Sequence, residues 1–143
     1  MAVTDSIFDK VVLYLKQENV LYKKIPTLHY TEFAQKELSG DSILNTASKI
    51  GVFTLEEFDK LIYVDADTVF LNNCDEIFNH PDGSMLYDGI EWGDELGGHS
   101  ALFLITPKNH NFLYLKTIQS NISCCDGNLL AYYFFPLKSR QEY

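Results

Sequence analysis

The spacing of apolar positions changes along the chain, and the changes mark out its elements. In SIFDKVVLYLKQEN, Ile7, Val11 and Leu15 recur at helical spacing, with Asp5 or Ser6 placed to cap the helix. Val20, Tyr22 and their apolar neighbours run to Pro26, a short extended segment that the proline stops. After the polar stretch TEFAQKELSGDS, Ile43, Ala47 and Ile50 return near period 3.6 and predict a helix between Ile43 and Phe53. LIYV, residues 61–64, is a buried strand; NNCDEIFN is a turn and short helix, GSMLYDG a strand, and EWGDELGG a loop. SALFLITP is a second strongly apolar strand ending at Pro107. NHNFLYLKTIQSN places Phe112, Leu115 and Ile118 on one helical face, and DGNLLAYYFF is apolar enough for a last helix packed on the core.

Strands alternating with helices imply an α/β layered fold on a mostly parallel sheet, and 143 residues imply one domain, 1–143. With 46% hydrophobic and 14% aromatic residues the chain can bury a real core. Its formal charge of −9 argues against holding nucleic acid or an anionic membrane through its overall field. No apolar run approaches the roughly 18 residues of a membrane span, and MAVTDSIFDK has neither a basic start nor an apolar signal core, so the expected location is cytoplasmic. Cys74, Cys124 and Cys125 are odd in number and two are adjacent, which suits reduced thiols; no C-x-x-C supports zinc, and His29, His80 and His110 show no ligand spacing.

The chemistry concentrates in LIYVDADTVFL, where an apolar strand runs into Asp65 and Asp67. In a parallel α/β sheet, ligands collect at the carboxyl ends of strands. Alternation along an extended chain points residues 65 and 67 the same way with Ala66 turned aside, and two such carboxylates favour a hard divalent cation. The bland alternative is one aspartate capping a turn and the other solvated. VDADT also matches the D-x-D-x-T of haloacid dehalogenase-like phosphatases, in which the first aspartate is a nucleophile. About 60 residues precede Asp65, however, and no later strand ends in a paired-acid motif.

The stretch SKIGVFTLEEFDKLIYVDADTVFLNNCDEIF resembles the retaining family 8 glycosyltransferases, the glycogenin and bacterial lipopolysaccharide galactosyltransferase type, through Lys60, Ile62, Tyr63, Asp65, Asp67, Ile77 and Phe78. GHSALFLITPKNHNF is similar to that family's N-S-G-V-F strand through Ser100, Phe103 and Pro107, and CCDGNLLAYYF to its G-D-Q helix start through Asp126 and Leu130. AVTDSIFDKVVLYLKQENVLYKKIP looks like the family's second strand, helix and third strand. The family's first strand and its closing H-x-x-G-x-x-K-P-W segment have no counterpart in the 143 residues, His99 stands where Asn or Asp is usual, and Gly127 where Gln is common.

The resemblance implies an incomplete GT-A, Rossmann-like nucleotide-sugar transferase domain that moves a hexose from a UDP-sugar to a hydroxyl with retention of configuration. It implies Asp65 and Asp67 as ligands of Mn²⁺ or Mg²⁺, and Lys49, Asp65, Ala66, Asp67, His99 and Ser100 along the donor. It places Asp126 beside the reacting sugar carbon as the catalytic residue, although a helix-capping aspartate has the same signature. Trp92 is a candidate acceptor platform, and the acceptor is a glycan, a lipid-linked glycan or a protein. Two other readings stand beside this one: a phosphatase with Asp65 as nucleophile, and an inactive remnant acting as a binding protein. Without the missing segments, slow turnover and oligomerisation over an exposed sheet edge are expected.

Overall fold

In the computed structural model the described residues are 1–4, 9–30, 46–87, 98–121 and 126–134. Asp5, Ser6, Ile7, Ile43, Trp92, Cys124, Cys125 and most of the EWGDELGG loop lie outside them. The chain opens as a βαβ unit in which strand β1 (Ala2–Thr4) and strand β2 (Lys23–Ile25) pair in parallel around helix α1 (Asp9–Gln17). Asp9 in the first turn and Lys16 in the last complement the helix dipole, and Leu15 carries the buried face. The helix stops because Asn19 takes a left-handed φ of 54°. Val20 N–H then reaches the Leu15 carbonyl at 2.8 Å and Asn19 N–H the Lys16 carbonyl at 3.2 Å, the paired bonds of a Schellman motif.

The helix expected between Ile43 and Phe53 is a 3-10 helix over Thr46–Thr54. Ala47, Ile50 and Phe53 are each at most 1% exposed, and their spacing is three, the period at which side chains of a 3-10 helix eclipse. A period-3.6 reading of Ala47 and Ile50 therefore found the right segment and the wrong winding. Gly51 lets this helix press on β2, since a Cβ there would lie 3.2 Å from the Ile25 Cβ and 3.3 Å from the Pro26 carbonyl. Ser48 fastens the same junction: its hydroxyl accepts from Leu28 N–H at 2.9 Å and donates to the Leu28 carbonyl at 3.1 Å.

The remaining strands form an antiparallel sheet in the order β3 (Leu61–Val64), β5 (Gly98–Ile105), β4 (Met85–Tyr87). Among the described residues the mostly parallel sheet is thus found only as the β1–β2 pair, and the strand leading to Asp65 runs against its neighbour. Central position explains the continuous apolar run of β5, whose Phe103, Leu104 and Ile105 are fully buried. Helix α2 (Asn109–Asn121) packs on the 3-10 helix, and helix α3 (Asp126–Phe134) on β5. One core joins them through Ile50, Phe53, Phe103, Leu115, Leu129 and Leu130. A short 3-10 turn covers Asp75–Asn79. No helix among the described residues is long and apolar enough to cross a membrane.

The turn into β4 depends on Gly83, whose φ is 86° and whose missing side chain leaves room for Phe134: a Cβ there would stand 2.5 Å from the Phe134 ring. Gly83→Ala is expected to lower unfolding free energy by about 2 kcal/mol, from overpacking and the left-handed backbone together. Urea unfolding measures it, and Phe134→Leu in the same chain should recover the steric part and leave the conformational part.

Candidate active site

Three separate segments bring charge to one place. The 3-10 helix supplies Thr46 and Lys49, which share a row because residues three apart eclipse in that winding. Strand β3 ends at Val64 and delivers Asp65, whose backbone N–H donates to the Ala101 carbonyl at 2.9 Å and so extends the antiparallel ladder by one step. That register lays the end of β3 beside the start of β5, where alternation turns Ser100 inward and leaves His99 exposed. Helix α3 begins at Asp126, buried against β5.

The Lys49 ammonium lies at the centre. It stands 3.1 Å from both carboxylate oxygens of Asp65, 2.8 Å from Asp126 Oδ2 and 3.0 Å from Ser100 Oγ. Ser100 in turn donates to Asp126 Oδ2 at 2.5 Å. The Tyr63 hydroxyl donates to Asp65 Oδ1 at 2.9 Å, its ring stacks on Phe103 with centroids 4.7 Å apart, and Lys49 sits 5.7 Å over the same ring. Burial alone would raise the Asp126 pKa, but the Lys49 charge and the hydrogen bonds of Lys49, Ser100 and Thr46 outweigh it and hold the carboxyl below its ordinary value. Burial likewise opposes the charge of Lys49, and Asp126 and Asp65 overcome it, so that pKa is raised. The Tyr63 phenol is pushed up by burial first, then by its bond to Asp65 and by the fields of Asp65, Asp126 and Asp67.

The placement of the predicted residues is therefore uneven. Lys49, Asp65, Ser100 and Asp126 converge, and neither a solvated lysine nor a merely capping aspartate describes them. Asp67 does not continue an extended strand. Thr68 N–H donates to the Asp65 carbonyl at 3.1 Å, so residues 65–68 form a turn with Ala66 and Asp67 exposed at its corner. Strand alternation therefore does not set the direction of Asp67. His99 accepts the Ala101 N–H on Nδ1 at 3.1 Å, a bond within its own strand. Among the described residues no group of three or more His, Cys, Asp or Glu gathers as a ready metal cage. Lys60 has a structural part: its ammonium donates to the Phe78 and His80 carbonyls, each at 2.7 Å, and ties the segment after the aspartates back to the root of β3. Tyr63 lies two residues before Asp65 and Thr46 three before Lys49, but nothing in the letters alone separates them from core positions.

Comparison with known proteins bears on the same segments. No protein-family model matches the chain. It is 36% identical over 82 residues to glycogenin-1 of Caenorhabditis elegans, covering 57% of this chain and 18% of that protein. It is 29% identical over 85 residues to UDP-glucuronate:xylan alpha-glucuronosyltransferase 2 of Arabidopsis thaliana, covering 59% and 13%. Against glycogenin-1 of Mus musculus it is 27% identical over 135 residues, covering 92% and 37%. The chain is related to glycosyltransferases. It spans well under half the length of each of these three relatives.

The cluster has a stability signature whose sign follows from its shifts. A depressed Asp126 pKa stabilises above the ordinary carboxylate range, and that contribution is lost as pH falls below that range through the folded value. A raised Lys49 pKa stabilises below the ordinary lysine range and is lost as pH rises past it. Lys49→Met, which strands two carboxylates, is expected to cost about 3 kcal/mol at pH 7. Urea titrations from pH 7 to pH 3 should show that cost shrinking as Asp126 takes up a proton, and Asp126→Asn in the same chain should recover part of it.

Proposed function

We propose that the chain carries the donor-binding part of a metal-dependent glycosyltransferase of the retaining family 8 type, acting on a UDP-sugar through its D-x-D motif. The observation that supports it is the meeting of Lys49, Asp65, Ser100 and Asp126 from four segments, each at a position where the family resemblance expects a donor or sugar contact. An acidic chain binds a diphosphate poorly without a cation, and here three carboxylates against one ammonium leave two formal negative charges around the motif, the complement of one divalent ion. The all-oxygen donor set suits Mg²⁺ or Mn²⁺, and hard ions of this kind are commonly held by one or two carboxylates together with substrate phosphates, so the small protein ligand set fits such an ion. Asp65 and Asp67 would hold it, and it would supply Lewis-acid stabilisation of the leaving diphosphate.

The protein's own groups divide the remaining work. Asp126 is held as an anion at neutral pH beside Ser100, suited to positive charge developing at the sugar carbon. Lys49 is a cation that a diphosphate can share, and its present hold on both carboxylates keeps the site assembled before a donor arrives. Ala66 and Asp67, at the exposed corner of the turn, lie where a ligand enters without displacing core side chains. The acceptor would be a glycan, a lipid-linked glycan or a protein hydroxyl.

Calorimetry with Mn²⁺ and UDP on the whole chain tests this reading. UDP is expected to bind only with Mn²⁺ present, and Asp67→Ala is expected to weaken binding at least tenfold; equal heats for both proteins would remove the metal assignment. Turnover of UDP-glucose and UDP-galactose, followed by mass spectrometry for both hydrolysis and transfer, tests the activity itself. A beryllofluoride adduct on Asp65 with phosphate release from an aryl phosphate would replace the transferase by the phosphatase.

A further inference from the structure

Asp65 has two carboxylate oxygens and about four acceptor positions, and the structure uses them unequally. Oδ1 accepts from Tyr63 and stands 3.1 Å from the Lys49 ammonium, whereas Oδ2 accepts from Lys49. The Tyr63 hydroxyl is held in place from behind. Its ring stacks on Phe103 at 12° between planes, and Tyr63 and Phe103 are direct partners in the β3–β5 register. Phe103 itself is fully buried at the centre of the sheet. Residues 63 and 65 are two apart at a strand end, the spacing that puts a side chain and its helper on one face. Tyr63 thus joins the rigid sheet to the first carboxylate of the motif, whose chain leaves that sheet at Val64 and turns at once.

We propose that Tyr63 is a positioning residue: its phenol, bonded to Oδ1, fixes the rotation of the Asp65 carboxylate and with it the direction in which Oδ2, already a partner of Lys49, can also meet a divalent cation. The inference rests on the reading of Asp65 as a ligand-facing carboxylate. It gives Tyr63 the part that outer-shell donors play at carboxylate–metal sites, where the partner sets ligand orientation and its loss commonly costs 10- to 100-fold in affinity. Phe103 acts through Tyr63, as the surface against which the ring is set.

The test is Mn²⁺ binding by the whole chain, read as free ion by electron paramagnetic resonance, with folding checked by circular dichroism. Tyr63→Phe keeps the ring and its stack, and is expected to remain folded while the Mn²⁺ dissociation constant rises about tenfold. Replacing Tyr63 by 4-aminophenylalanine, which restores a donor at the same place, is expected to bring affinity back to within about threefold of wild type. Asp65→Asn is expected to abolish binding. If Asp65→Asn abolishes binding and Tyr63→Phe leaves it unchanged, Tyr63 is a core residue only, the proposal is overturned, and the metal reading of Asp65 stands. A donor-restored variant as weak as Tyr63→Phe, or an unfolded Tyr63→Phe, also overturns it, because the hydroxyl would then act on packing. Wild-type affinity in Asp65→Asn, or no binding by the wild type, removes the metal reading and this inference with it.

Discussion

The site is organised around one ammonium group shared by two carboxylates in a place with little water. At an effective dielectric near 20, a pair 2.8 Å apart as Lys49 and Asp126 are attracts by about 6 kcal/mol. Removing each charge from water costs several kcal/mol. The two magnitudes are comparable, so the pair stands only because further hydrogen bonds complete it. Ser100 bridges Lys49 to Asp126, Thr46 adds a bond to Asp126, and Tyr63 shares Asp65. Each of these donors removes part of the desolvation cost of an anion, and together they make an ionised buried Asp126 the stable form at neutral pH.

Two backbone features make that convergence geometrically feasible. The 3-10 winding of Thr46–Thr54 lines up Thr46 and Lys49 toward Asp126 while Ala47, Ile50 and Phe53 form the row that enters the core. An α-helix would spread the same residues through 100° steps and separate Thr46 from Lys49 by about 60°. The antiparallel β3–β5 register does the second part. A parallel neighbour would place the end of β3 beside the end of its partner; the reversed one places it beside the start of β5, where Ser100 lies. The winding and the reversal are thus read from the core outward, since both are held by fully buried side chains.

Much of this was legible in the letters. Four uncharged apolar residues before Asp65, the apolar run of β5 and the helical spacing of Phe112 and Leu115 mark real elements, because burial on a sheet or a helix face is a property of local sequence. Lys49, Asp65, Ser100 and Asp126 were all named as candidates, and they meet. What was not legible depends on partners far away in the chain. Strand direction in β3 is decided by the return of β5 some 35 residues later, and nothing in LIYV distinguishes a parallel from an antiparallel edge. The turn at Asp65–Thr68 ends the alternation argument for Asp67, since a side chain's direction is known from sequence only while the strand lasts. The lysine of the K-x-I-Y-x-D-x-D run is only a pattern match in one dimension and is a clamp on the Phe78 and His80 carbonyls in three.

The clamp and the tyrosine together explain why a motif centred on two aspartates extends so far on either side of them. A turn whose corner is exposed gains little stability from burial. Order in such a segment has to come from its ends. Lys60 holds the far end by two charge-assisted bonds to carbonyls that lie 18 and 20 residues ahead of it, and these are the stronger class of hydrogen bond. Tyr63 holds the near end through a ring seated on Phe103. Between them Val69, Phe70 and Leu71 stay largely exposed, so apolar packing contributes little there. The D-x-D corner is kept in shape by polar bonds at its two anchors, which leaves the exposed Asp67 outside the demands of the core.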